Sequence, residues 1–242
     1  MKMSKLSSMR SRQSLKAMRQ TKRHRHMRPQ LKPVELAADY EPSIHRRGRL
    51  QRAFDIACSI SGLAFLSPIF CFVAIAIKLD DRGPVFYRQT RVGRGLRTFQ
   101  LWKFRTMVRD ADRLGLLTTP DDRRVTRTGR WLRRHKLDEL PQLLNVLAGD
   151  MQLVGARPEV ERYVAMFRSE YGEILRDRPG ITDPAAIAYR REEQWFVAGQ
   201  IEKQYVEDIL PAKLKLSMGY QTRRTFWSDV RVLLQTVFGT AR

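Results

Sequence analysis

Hydrophobic positions divide the chain into regions of different character. Residues 1–48 show no sustained apolar period and are rich in Lys, Arg, Ser, Gln and His, a composition that cannot bury a core and predicts a disordered arm. From Ile56 to Ile77, 22 residues pass without one charge. As a straight helix this stretch is about 33 Å long, against a bilayer core of roughly 30 Å. Residues 84–92 and 97–106 carry β-branched and aromatic side chains on either side of Gly93-Arg94-Gly95, which predicts a β-hairpin. Beyond Pro158, Val160, Tyr163, Val164, Phe167, Tyr171 and Ile174 repeat at helical spacing until Arg178-Pro179-Gly180, predicting one helix. Phe226, Val230, Leu233, Leu234 and Val237 mark another, its apolar face widened by Trp227 and Phe238. With Arg223, Arg224 and Arg231 nearby, that helix suits either a membrane interface or packing on the domain.

Two features argue against a simple span by the apolar stretch. Ser67-Pro68 stands at its middle, where proline removes a backbone bond and kinks a helix. Its flanks are basic on both sides, with Arg46, Arg47, Arg49 and Arg52 before it and Lys78, Arg82, Arg88 and Arg91 after it. The positive-inside rule puts both flanks in the cytoplasm. The two arms would be about 18 Å and 15 Å long, too short to cross singly. The expectation is a re-entrant helical hairpin.

Charge adds to this picture without deciding it. Of the net +21, residues 1–49 contribute 14 Lys/Arg against 3 acids. Such an arm favours polyanions, either nucleic acid or an anionic membrane face. Cys58 and Cys71 both fall in the apolar stretch with no metal-ligand spacing, as small apolar residues do.

The candidate chemistry sits at Arg130-Trp-Leu-Arg-Arg-His-Lys-Leu-Asp138-Glu139-Leu-Pro141-Gln142. Proline is tolerated in the first turn of a helix, so a helix is expected to start close to Asp138. Two adjacent carboxylates then stand at a helix N-terminus, after Arg130, Arg133, Arg134 and Lys136. Ordinary capping explains an Asp there. The same carboxylates, kept ionised by basic neighbours, can instead ligate Mg²⁺ or attack phosphorus. A helix N-terminus and arginines suit an anionic phosphate.

The chain resembles the bacterial sugar transferase family, the small monotopic phosphoglycosyl transferases acting on polyprenol phosphate. The resemblance runs, in family order, through Arg52 and Asp55, Ser67-Pro68, Gly83-Pro84-Val85-Phe86-Tyr87-Arg88-Gln89 and Lys103-Phe104-Arg105-Thr106-Met107. It continues through Leu137-Asp138-Glu139-Leu140-Pro141-Gln142, Asn145-Val146-Leu147, Gly149-Asp150-Met151, Leu153-Val154-Gly155, Arg157-Pro158 and Pro179-Gly180-Ile181-Thr182. Gln51, Lys136 and Ala156 depart from the common pattern. So does Asp183-Pro184-Ala-Ala-Ile-Ala-Tyr-Arg190, where many relatives carry a Gly-Trp-Ala-Gln-Val-Asn-type stretch.

The resemblance implies an α+β, mainly helical fold with an N-terminal re-entrant membrane hairpin, a short β-hairpin and a helical catalytic domain with amphipathic interfacial helices. The parts would be a basic cytoplasmic arm (1–48), a membrane helix kinked at Ser67-Pro68 (49–80) and a cytoplasmic catalytic domain (81–242) at a bacterial inner membrane. It implies that Asp138 attacks a nucleotide sugar, usually a UDP-sugar, releasing UMP. Polyprenol phosphate then takes the sugar-phosphate, initiating exopolysaccharide, capsule, O-antigen or glycoconjugate assembly, alongside other polysaccharide-assembly enzymes. Asp138 and Glu139 would hold Mg²⁺; Arg133, Lys103, Arg105 and Arg157 are candidates for phosphate or nucleotide contact. A rival reading is a membrane-tethered nucleic-acid-binding or regulatory protein, since aromatics interleave with base from Phe99 to Phe104. No recognition motif supports it, and no specific nucleic acid is expected.

Overall fold

A computed structural model describes residues 48–111, 117–119, 122–197 and 199–239. The expected arm, apart from Gly48, lies outside them. The described residues are mainly helical, with one β-hairpin and one long apolar helix at the start.

That helix, α1 (Arg49–Asp81), contains Pro68. Proline has no amide for the carbonyl of Ala64, four residues back. The Ser67 hydroxyl donates to that carbonyl instead, at 2.8 Å. Buried positions on α1 come in two pairs, Asp55 with Ser59 and Val73 with Ile77, each one turn apart. Between the pairs Phe65, Ser67 and Pro68 are exposed. Both ends are tied to the rest of the chain. Arg52 donates to the Val146 carbonyl at 2.7 Å, and the Asp80 carboxylate accepts the Thr128 amide at 2.9 Å.

The predicted hairpin is present as β1 (Phe86–Val92) and β2 (Thr98–Phe104), antiparallel, with Phe86 opposite Phe104 and Val92 opposite Thr98. Gly95 takes the left-handed conformation in the turn, at φ +64°, which glycine adopts without penalty. Cross-strand partners share a face, so Tyr87, Gln89 and Arg91 lie beside Lys103, Leu101 and Phe99. The aromatics of this strand are spent on packing. Phe104 is buried against Val73, Ile77 and Leu132, and Phe99 packs on Leu101 and Val146. Trp102 is covered by Phe86 and Arg88. They form no open stacking platform.

Helix α2 (Arg127–Arg134) is capped by the Thr126 hydroxyl, which accepts the Gly129 amide at 2.9 Å. Helix α3 (Gln142–Ala148) follows and packs along the first arm of α1. Strand β3 (Gln152–Val154) pairs in parallel with β4 (Gly180–Thr182). Here Gly155 and Gly180 approach so closely that a Cβ on Gly180 would sit 2.1 Å from the Gly155 amide nitrogen.

The single helix expected after Pro158 is two, α4 (Glu161–Met166) and α5 (Arg168–Ile174), broken at Phe167 (φ −125°, ψ 47°). Tyr163 and Val164 before the break and Tyr171 and Ile174 after it enter the same apolar cluster. Seven residues separate Val164 from Tyr171, close to two helical turns, so the apolar spacing is the same with or without the break. Helix α6 (Pro184–Ala188) is capped by Asp183, whose Oδ1 accepts the Ala186 amide at 2.7 Å. Helices α7 (Ile201–Gln204) and α8 (Leu210–Arg223) are joined by a wide turn of helix, and α9 (Phe226–Phe238) closes the described chain. On α9, Val232 is buried and Phe226 meets Phe54 of α1. Trp227, Leu234, Val237 and Phe238 stay exposed. The helix therefore packs on the domain with one face and leaves a second apolar face open.

Candidate functional site

Asp138 and Glu139 lie on a 3₁₀ turn (Leu137–Glu139), and α3 begins only at Gln142. The expected helix start at Asp138 is therefore displaced by about one turn. Lys136 explains the shift. It adopts the left-handed conformation, φ 56° and ψ 21°, which ends α2 and swings the chain into a separate tight turn before Pro141.

The two carboxylates have different surroundings. Both Glu139 oxygens are engaged by Arg157, whose Nη1 and Nη2 donate at 2.8 and 2.5 Å. Burial alone would push the Glu139 carboxyl up, but Arg157 and then Lys103 more than offset it and hold it at about 2. Asp138 is 7% exposed, and its Oδ1 is buried without a hydrogen-bond partner. Burial, then the Glu139 charge, raises its carboxyl above the ordinary value; Lys103, Arg133 and Lys136 pull the other way without winning. One carboxylate is clamped and ionised, and its neighbour is unclamped and poised.

The cations come from three separate segments. Lys103 stands on β2, and burial, then the nearby Arg157, lowers its ammonium to about 8. Arg133 stands in the last turn of α2 and also donates to the Thr118 hydroxyl at 3.3 Å. Arg157 follows β3, and its Nη1 further donates to the Ile181 carbonyl at 3.3 Å. The β3–β4 pairing thus aims Arg157 at Glu139. Arg105 is not brought to this group. Its guanidinium pairs with Asp81 at the end of α1 and fills the space over Gly83.

Sequence reasoning missed two contributors. Gln142, one turn beyond Asp138, is 1% exposed with its Nε2 unpartnered. A buried amide donor without an acceptor is costly, and the only signal for it was a polar residue at a core position of α3. Glu159 is half-buried, accepts from Arg91, and takes the Tyr205 hydroxyl at 2.7 Å. Burial would raise its carboxyl, but Arg91 and Lys213 hold it below the ordinary value. Its nearness to Arg157 in sequence was the available clue.

No three His, Cys, Asp or Glu side chains among the described residues converge as a metal cage. Mg²⁺ usually takes one or two carboxylates and completes its shell with phosphate and water. Asp138 Oδ1, a hard oxygen with no protein partner, fits that role, and Glu139 fits it only by sharing an oxygen with Arg157. The donor set suits an ion held jointly with a diphosphate.

The chain is also similar to known proteins. The family described as bacterial sugar transferase matches residues 46–242. A UDP-glucose:undecaprenyl-phosphate glucose-1-phosphate transferase of Escherichia coli (strain K12) is 37% identical over 193 residues, covering 78% of this chain and 39% of that protein. A UDP-N-acetylgalactosamine-undecaprenyl-phosphate N-acetylgalactosaminephosphotransferase of Aeromonas hydrophila is 34% identical over 196 residues, 78% of this chain and 43% of that protein. The exopolysaccharide production protein ExoY of Sinorhizobium fredii (strain NBRC 101917 / NGR234) is 36% identical over 177 residues, 66% of this chain and 78% of that protein. The chain spans about two-fifths of the first two relatives and most of the third.

Proposed function

The chain belongs to the bacterial sugar transferase family, and we propose that it moves a sugar-1-phosphate from a nucleotide sugar to polyprenol phosphate. The observation that carries this reading is Asp138 Oδ1, a buried carboxylate oxygen with no partner, beside the Glu139–Arg157 pair. In the first step an Asp138 oxygen attacks the β-phosphorus of a UDP-sugar. The bond from that phosphorus to the bridging oxygen breaks, and UMP leaves with the electron pair. The sugar-phosphate remains on Asp138 as an acyl phosphate. In the second step a phosphate oxygen of polyprenol phosphate attacks the same phosphorus, the bond to Asp138 breaks, and the carboxylate is restored. Splitting the transfer in two is the usual gain of covalent catalysis.

Lys103, Arg133 and Arg157 supply positive charge where the diphosphate sits, and charge aimed at a transferring phosphoryl group is a large catalytic term. Mg²⁺, when bound through Asp138 and Glu139, would neutralise phosphate charge that otherwise repels the carboxylates. Gln142 offers a donor to the carboxylate or the adduct. Arg105 acts in this reading as an anchor for the end of α1.

The attachment of both ends of α1 to one domain supports the re-entrant reading. A helix that crossed would carry Arg52 and Asp80 to opposite faces, yet both bond to residues of the same unit. The Ser67 hydroxyl suits a lipid setting for this segment, where every freed carbonyl needs a partner. The domain then lies on the cytoplasmic side of a bacterial inner membrane, where a soluble nucleotide sugar and a lipid-borne phosphate meet. Exopolysaccharide assembly, with other enzymes of that process, is the setting that the relatives' names support.

The test uses detergent-solubilised protein, Mg²⁺, polyprenol phosphate and a panel of UDP-sugars. UMP release is expected for at least one sugar and is expected to vanish in Asp138→Asn. Unchanged turnover in that variant would remove the nucleophile assignment. With the lipid withheld, mass spectrometry should find a sugar-phosphate on Asp138.

A further inference from the structure

Helix α2 carries a feature that the transfer chemistry does not use. Its sequence, Arg127-Thr-Gly-Arg130-Trp131-Leu-Arg133-Arg134, contains no acid. Gly129 and Leu132 are buried, and Arg127, Arg130, Trp131 and Arg134 are exposed. Residues three, four and seven apart share a helical face, so these four side chains form one outward stripe. Trp131 is 45% exposed. Among the described residues, Arg130 and Arg134 enter no ion pair, whereas Arg133, off the stripe, faces Asp138.

The position of α2 says what the stripe meets. The Thr128 amide bonds to Asp80 at the end of α1, and Leu132 packs on Val73 and Ile77, one and two turns earlier. Helix α2 therefore runs back along the second arm of α1, antiparallel to it. The neighbouring apolar residues of that arm are themselves exposed: Phe72 at 63%, Ile75 at 59% and Leu79 at 81%. A tryptophan between arginines, beside apolar side chains that enter lipid, has the chemistry of the headgroup layer. Its ring sits at the interface, and guanidinium groups take phosphates.

We propose that this stripe is a docking surface for anionic phospholipid headgroups, holding the domain against the bilayer beside the point where α1 enters it. The proposal rests on the insertion of α1 in a membrane and not on the identity of the transferred sugar. Charge complementarity calls for an anionic phosphate, and continuity with the exposed apolar side chains Phe72, Ile75 and Leu79 of α1 selects lipid over nucleic acid as its source. Each arginine near an anionic leaflet strengthens attachment to it roughly fivefold.

The full chain is reconstituted in nanodiscs of phosphatidylcholine and phosphatidylglycerol, with bromine on the acyl chains of one lipid at a time. Wild type minus Trp131→Phe gives the fluorescence of Trp131 alone. Quenching of that signal is expected to be several-fold stronger with brominated phosphatidylglycerol than its bulk share predicts. The preference should collapse in Arg130→Gln/Arg134→Gln and survive in Arg130→Lys/Arg134→Lys. Equal quenching by both lipids, or quenching by aqueous iodide alone, overturns the proposal. Loss of lipid quenching when RNA is added overturns it in favour of nucleic acid. UMP release in detergent, measured in parallel on the Gln pair, is expected to be unchanged. Failure of the transferase reading would show there while the lipid signal persisted.

Discussion

Arg157 grips Glu139 with two parallel hydrogen bonds, at 2.8 and 2.5 Å, and leaves the adjacent Asp138 ungripped. This pairing separates two chemically similar groups into a fixed charge and one left free of a clamp. Arg157→Met strands the Glu139 charge. Breaking one side of a fully buried pair costs about 3–5 kcal/mol; this pair is partly exposed, so a smaller but clear fall in Tm is expected together with loss of UMP release. Adding Glu139→Gln should recover most of the stability and none of the activity. Recovery of turnover in the double variant would show that the pair is structural only.

Asp138 makes the opposite stability prediction. Its carboxyl is raised in the folded protein by burial and the Glu139 charge. The folded state thus binds its proton more tightly than the unfolded chain does, and ionising it as pH rises costs stability. Asp138→Asn is expected to be inactive yet at least as stable as wild type, with a Tm advantage that grows with pH. A variant markedly less stable at neutral pH would contradict this account of the site.

The pH dependence of transfer follows from the same groups. Asp138 must be ionised to attack, so activity should fall as pH drops through a carboxyl value above the ordinary 3.8. Lys103 must be charged to meet the diphosphate, so activity should also fall as pH rises past about 8. A bell-shaped profile of kcat/KM is expected. Lys103→Arg should push the alkaline limb upward and leave the acid limb in place. An alkaline limb unmoved by that change would assign it elsewhere.

How much of this the sequence carried depends on the range of the interaction. The β-hairpin was legible because alternation and a glycine turn are local signals, and Asp138-Glu139 stood out among basic neighbours. The helix start was misplaced because a left-handed Lys136 leaves no compositional mark. The break at Phe167 was invisible because it preserves the apolar spacing. The Arg105–Asp81 and Arg157–Glu139 pairs join segments 24 and 18 residues apart, and no pattern within either segment announces its partner. Gln142 carried no sign of its role in the sequence, and only the fold makes it a buried donor.

Gly129 offers a test of how α2 is seated. A Cβ there would lie 2.0 Å from the Thr106 carbonyl oxygen, which is backbone and cannot swing aside. Gly129→Ala should cost about 1–3 kcal/mol and weaken transfer by moving Arg133. A Tm equal to wild type would mean that α2 sits further from Thr106 than this.

Cysteine labelling addresses α1. With Cys58 and Cys71 replaced by Ser, single cysteines at Gly48 and Arg82 should both react with a membrane-impermeant reagent from the cytoplasmic side only. Reaction of one from each side would establish a span. Pro68→Ala restores the missing amide, and a straight crossing helix is expected to gain population in that variant.

The parallel pairing of β3 with β4 also sets the order of events during synthesis. Arg157 reaches Glu139 from the end of β3, braced by the Ile181 carbonyl just inside β4. A nascent chain that has emerged only as far as Pro179 holds Asp138, Glu139 and Arg157 but not the strand that aligns them. The ribosome must deliver Gly180–Thr182 before the carboxylates acquire their final charges. Until then, on the proposed mechanism, a chain whose apolar helix had already met the bilayer would carry no working nucleophile.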